Sequence, residues 1–229
     1  YFKSYFGINK NGYWEKDQYV LFRKQSPLDF IQNNNLPESF NDKIVAWEAT
    51  LFHHRIKRSP TRLDNKIICS WNALIGRGIL KAANIFQNKS NLQLVKAHLL
   101  FMEKTFHKKE GGLFRLNKKE AAPVNGFLED YSHLIAYYLD AYETFFDPSF
   151  LDKASVLIHY CKERFITPKT ALFVFAEEEK LILQTKEVND NVIPSSNAIM
   201  AENLIRASIH LGQIDWYAHA KEMIALVAK

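Results

Sequence analysis

Glu129 and Asp130 stand side by side in the run Gly126-Phe127-Leu128-Glu129-Asp130-Tyr131, at the head of an apolar-periodic stretch that continues to Phe146. Neighbouring carboxylates are the residue type that general acid–base chemistry needs, one group removing a proton and another returning it. His133 follows Glu129 by four residues, so on a helix the two share a face. Two further polar runs could supply a ligand site. Asp64-Asn65-Lys66 leads into Trp71-Asn72, and Ser195-Ser196-Asn197 follows Pro194. Asn72, Tyr131, Ser195 and Asn197 offer hydrogen bonds to hydroxyls, and Trp71 offers a flat stacking face.

Each of these residues also has a purely structural reading. Acids in a first helical turn meet the partial positive charge of unpaired N–H groups, so Glu129 and Asp130 serve equally as helix starters. Asp64 and Asn65 can cap the helix that follows, Lys66 can be a solvated charge, and Trp71 can be packing. Ser195 is a sound N-cap, and Glu129 with His133 can be a plain surface pair. His53, His54 and Glu48 lack metal-ligand spacing and read as structural.

What lifts these runs above isolated polar residues is the set of elements that carries them. Pro27 opens a short helix after Ser26, and a second helix runs from about Pro37 to Ile56. Three similar helical hairpins then follow. Residues near 67–87 and about 91–106 form the first, 127–146 and about 149–165 the second, and 195–211 with the remainder of the chain the third. Phe86, Phe145 and Leu211 fall at one equivalent position in this alignment, spaced by 59 and 66 residues. Such periodicity marks a repeat architecture. In that phase Trp71/Asn72, Asp130/Tyr131 and Ser196/Asn197 coincide, each near a helix N-terminus after a long connection. The spacing therefore predicts one mouth lined by all three motifs, suited to a polyhydroxylated or anionic ligand. The long connections at 107–126 and 167–194 contain Gly111-Gly112-Leu113-Phe114, Ala171-Leu172-Phe173-Val174-Phe175 and Leu181-Ile182-Leu183, which read as short β-hairpins.

Composition narrows the classes. Of 229 residues 47% are apolar, 24% charged and 14% aromatic, which is ample for a helical core. The net charge of +5 is mild, and the lysines at 108, 109, 118 and 119 are not interleaved with stacking aromatics. That pattern argues against nucleic-acid binding. Cys69 and Cys161 are far apart, with no metal or disulfide spacing, so the reading is a reducing, cytoplasmic protein without metal or cofactor. No apolar run approaches the roughly 18 residues of a membrane span.

The motifs together carry a resemblance. Asp64-x-Lys66, Trp71-Asn72, Gly126 to Tyr131 and Pro194-Ser195-x-Asn197, with Tyr5-Phe6-Gly7 and Gly12-Tyr13-Trp14-Glu15 before them, resemble the helical part of the thioredoxin-domain-containing YyaL / spermatogenesis-associated family. The sequence departs from that pattern at Tyr13 (Asn is usual), Asn65 (Asp), Ala73 (Gly) and Ser196 (Gly). The resemblance implies an all-α fold, an incomplete (α/α)6 toroid of helical hairpins akin to N-acylglucosamine 2-epimerases and six-hairpin glycosidases. At roughly 60 residues per hairpin, six hairpins need about 360 residues, so this chain supplies part of a ring. It implies an irregular segment over 1–25, following a thioredoxin-like domain that this chain does not contain, and a partial toroid over 26–229.

Two functions follow as expectations. One is a sugar epimerase or isomerase, with glycoside hydrolysis as a variant, using Glu129, Asp130 and His133 for proton transfer and Asp64, Lys66, Trp71, Asn72, Tyr131, Ser195 and Asn197 to hold the ligand. The other is a non-catalytic module that binds a sugar, peptide or protein for a thioredoxin-like domain in cis.

Overall fold

The computed structural model describes residues 1–15, 18–117, 124–167, 170–177 and 185–228. Lys118, Lys119 and the run Leu181-Ile182-Leu183 lie outside them. The chain forms two compact units, Tyr1–Asp64 and Asn65–Lys229.

The first unit holds α1 (Phe2–Tyr5), α2 (Pro27–Asn33) and α3 (Phe40–Ile56), with a 3-10 turn at Lys10–Gly12. Ser26 and Asp29 cap α2 reciprocally, and Pro27 occupies its first turn. Its core is aromatic and aliphatic: Tyr5, Phe6, Phe30, Ile31, Phe40 and Ile44.

The second unit contains the three hairpins. They are α4 (Cys69–Ile85) with α5 (Lys89–Phe106), α6 (Leu128–Phe145) with α7 (Pro148–Arg164), and α8 (Ser196–Leu211) with α9 (Ile214–Val227). Helices α4, α6 and α8 lie side by side, with α6 in the middle. Ser70 meets Asp130 near the start of α4 and α6, and Asn84 meets Thr144 near their ends. Ser132 meets Asn203, and Glu143 meets His210, between α6 and α8. All three inner helices are therefore parallel, with their N-termini at one end.

Position in this row explains the unusual burial of α6. Every residue from Leu128 to Ala141 is buried, because α4, α7 and α8 each cover a side. Gly76 of α4 is part of this packing: a Cβ there would lie 2.5 Å from the Tyr137 ring of α6.

The repeat phase is visible in the backbone. Gln87, Phe146 and Gly212 occupy the same position after each inner helix, and all three are left-handed, with φ of 51°, 53° and 66°. Phe114 N–H donates to the Phe106 carbonyl, and Val174 N–H to that of Phe165, one repeat later. The β character of the connections is slight. β1 (Ile67–Ile68) pairs antiparallel with β2 (Leu116–Asn117), and single bridges join His107 to Leu113, Phe114 to Asn125 and Ile166 to Phe173.

Candidate functional site

The site grows from the first turn of α6. Asp130 reaches back to accept the Phe127 N–H at 2.9 Å, capping its own helix. Its other oxygen accepts the Ser70 N–H at 2.9 Å, so it also ties down the start of α4. Arg115, from the connection after α5, donates to Asp130 Oδ2 at 3.1 Å and to Glu129 Oε1 at 2.7 Å. Ser70 Oγ donates to the same Glu129 oxygen at 3.1 Å. Among the described residues, Glu129 thus engages through Oε1, whereas both oxygens of Asp130 are bonded.

Electrostatics separates the two acids from ordinary surface carboxylates. Asp130 is 0% exposed. Burial pushes its pKa up to about 6, although Arg115 and the Phe127 and Ser70 N–H groups pull the other way. Burial works against the Arg115 charge, but the two carboxylates keep its pKa above the ordinary value. Asp130 is therefore ionised at neutral pH and close to titration just below it.

A cleft of about 340 Å³ opens beside this cluster, between Val124–Phe127 and Phe175–Glu177. The rings of Phe127 and Phe175 lie 5.0 Å apart, and Asn125 and Glu177 provide its polar lining. Arg115 lies over the Phe127 ring at 4.7 Å and so links the cleft wall to the carboxylates. Glu177 accepts the Tyr160 hydroxyl at 3.1 Å and the Tyr131 hydroxyl at 3.3 Å. Tyr131 and Tyr160 stack, 5.3 Å between centroids and 8° between planes.

The predicted residues divide into those gathered here and those held elsewhere. Glu129, Asp130 and Tyr131 are at the site. His133 is 0% exposed, and neither ring nitrogen has a hydrogen-bond partner among the described residues. Burial pulls its pKa down to about 4, with Arg77 adding to the effect, so the ring is neutral. Trp71 is 59% exposed and lies on a face of α4 turned away from α6. Asn72 donates to the Ile68 carbonyl of its own chain segment. Asn197 accepts the Phe173 N–H and donates to the carbonyls of Phe173 and Glu187. Ser195 caps α8 through Ala198 N–H. Asp64 ends the first unit, and Lys66 is exposed near the start of the second.

Sequence reading missed Ser70, Arg115, Glu177 and Glu187. Arg115 follows Gly111-Gly112-Leu113-Phe114 directly, and Glu177 follows the Phe173-to-Phe175 run, so their connections were read but their charges were not. A second missed feature is Asp140, which accepts Arg77 from α4 and Arg206 from α8, each at 2.7 Å. Glu143 and Glu202 extend this network through Arg206. Among the described residues, no group of three or more His, Cys, Asp or Glu could hold a metal ion, and no helix is long and apolar enough to cross a membrane.

No family model matches the chain. Its homologues include spermatogenesis-associated proteins. Spermatogenesis-associated protein 20 of mouse is 30% identical over 181 residues, covering 72% of this chain and 22% of that protein. The human counterpart is 27% identical, with coverage of 72% and 23%. The chain thus spans less than a quarter of the length of these relatives. Among solved structures, an α-mannanase from Bacteroides thetaiotaomicron matches with a TM-score of 0.60 at 17% identity, over 72% of this chain and 46% of its own. Cellobiose 2-epimerase from Bacillus thermoamylovorans gives 0.58 at 12% identity, over 71% and 45%. A D-mannose isomerase gives 0.57 at 13% identity, over 69% and 41%. The fold is that of an incomplete (α/α)6 toroid.

Proposed function

We propose that this chain, a homologue of part of spermatogenesis-associated protein 20 with a toroid fold, binds a sugar or similar polyhydroxylated ligand at the N-terminal end of its inner helices. The observation that carries this reading is the cleft itself. Aromatic faces at Phe127 and Phe175 suit the apolar side of a pyranose ring, and Asn125 and Glu177 suit its hydroxyls. The fold is shared with enzymes named for mannan, cellobiose and mannose, which supports the ligand class and leaves the reaction open.

Within that reading the acids take different roles. Glu129, with hydrogen bonds on one oxygen, would carry the proton transfer of an epimerase- or isomerase-like step. Asp130 organises Arg115, Ser70 and the helix start. His133, buried and neutral, would take part in proton transfer after the ligand or a water reached it.

A second reading has its own support. Asp130, Tyr131 and Asn197 spend their polar atoms on bonds between segments of the chain, as a non-catalytic binding module requires. Such a module would serve a thioredoxin-like domain in a longer protein. Deuterium incorporation at C2 of sugars in D₂O separates the two. Incorporation lost in Glu129→Gln supports the enzyme; binding without incorporation supports the module; neither would overturn the sugar reading.

A further inference from the structure

His133 of α6 and Asn203 of α8 together hold three buried polar atoms that no protein group satisfies. Both residues are 0% exposed. Neither ring nitrogen of His133, nor Oδ1 of Asn203, has a hydrogen-bond partner among the described residues. An unpaired polar atom in a protein interior is costly, and native chains rarely keep several together. We propose that His133 and Asn203 hold internal water at the seam between α6 and α8, one helical turn from Glu129. This hydration site does not depend on the cleft being a sugar site, and it serves an enzyme and a binding module alike.

Placement carries the argument. Asn203 Nδ2 donates to the Ser132 carbonyl at 2.7 Å, which fixes the other amide atom, Oδ1, as a free acceptor. That carbonyl belongs to the peptide bond whose nitrogen is His133's own. The Asn203 amide therefore lies against the backbone from which the imidazole branches. Donors and acceptors then match. A neutral imidazole offers one N–H and one lone pair, Asn203 Oδ1 offers lone pairs, and water supplies both donors and acceptors. Small side chains flank the pair at helical spacing: Ala136 follows His133 by three residues, and Ala207 follows Asn203 by four, both fully buried. Two charged groups act on the ring, Arg77 and Glu129. Arg77 is already engaged, donating to Asp140 at 2.7 Å. Glu129 shares a helix face with His133, and its bonds from Arg115 and Ser70 both fall on Oε1. Oε2 of Glu129 is thus a third acceptor for the water, which needs two to four polar partners. Glu129 then has two sides, Arg115 and Ser70 on one oxygen, water and His133 on the other.

Nuclear Overhauser spectroscopy on the isotope-labelled chain in H₂O tests the site. The carbon-bound ring protons of His133 do not exchange with solvent, so a cross-peak from them to the water resonance reports a bound molecule. His133→Phe identifies these signals by their loss. The expected result is a cross-peak of the sign given by long-lived water. Asn203→Leu should remove most of its intensity, and Glu129→Leu part of it. Asn203→Leu also gives up the bond to Ser132, so His133→Phe supplies a second readout that leaves that bond in place. With water bound, His133→Phe takes a partner from it and should lower the thermal midpoint at pH 7 by about 2–4 °C. In a dry seam, an apolar ring in place of an unpartnered imidazole should raise the midpoint instead. The proposal is overturned by assigned His133 ring protons with no peak to water, by a peak that Asn203→Leu leaves intact, or by a higher midpoint for His133→Phe.

Discussion

Tyr131 and Asn197 stand one repeat apart and accept the same hydrogen bond. The Tyr131 hydroxyl takes the N–H of Leu113 at 2.8 Å, and Asn197 Oδ1 takes the N–H of Phe173 at 2.9 Å. Leu113 and Phe173 are themselves equivalent, bridging back to His107 and Ile166, within two residues of the ends of α5 and α7. Two different side chains thus do one task, clamping each connection onto the head of the next inner helix. Tyr131→Phe leaves the buried Leu113 N–H without a partner and should cost about 1–3 kcal/mol in urea unfolding. Asn197→Leu should cost at least as much, because three bonds go. A loss below about 0.5 kcal/mol in both would refute the clamp.

The left-handed residues after the inner helices are a second consequence of the repeat. Gly212 suits its position, but Gln87 and Phe146 hold the same conformation with a Cβ. Gln87→Gly and Phe146→Gly should each raise stability by up to about 1 kcal/mol, after allowing for the extra freedom glycine gives the unfolded chain. Thermal unfolding reads the change directly; a fall in midpoint for both would contradict it.

Close packing of α4 on α6 gives a third prediction. Gly76→Ala places a methyl 2.5 Å from the Tyr137 ring, and should destabilise by roughly 1–3 kcal/mol. Adding Tyr137→Leu should recover part of that loss, a coupling that a double-mutant cycle measures.

Asp130 and His133 oppose each other as pH changes. Asp130 titrates near 6 in the folded chain against an ordinary 3.8, so between those values the folded state alone holds the proton, and stability falls as pH rises. His133 titrates near 4 against 6.5, so the unfolded state holds the proton there, and stability rises with pH. Each contribution is bounded at about 3 kcal/mol. Together they nearly cancel from pH 4 to 6. His133→Phe should therefore lose stability as pH rises through that window, and Asp130→Asn should gain it. Parallel slopes in the two variants would contradict this assignment.

The hairpins were legible because α4, α6 and α8 carry apolar residues at helical period and end at one phase, with Phe86, Phe145 and Leu211 aligned. The parallel row of N-termini followed from the same spacing. Partners of the motif residues were not legible, because they depend on the connections. Arg115 reaches Glu129 and Asp130 only once the stretch from Leu113 to Arg115 folds back over the head of α6. Nor could spacing reveal that Trp71 turns outward while its neighbour Ser70 turns inward to the acids. The charge network at Asp140 escaped notice because its arginines come from α4 and α8, more than sixty positions away in sequence on either side.

The most direct test of the central claim is a proton NMR experiment on a panel of free, N-acetylated and phosphorylated sugars in D₂O with the purified chain. Saturation transfer reports binding, and loss of the C2 proton signal reports exchange. The account predicts saturation transfer to at least one sugar class, weakened about tenfold or more by Phe127→Ala or Glu177→Gln, with C2 exchange that depends on Glu129. Neither transfer nor exchange with any member of the panel would contradict a sugar site at the head of α6.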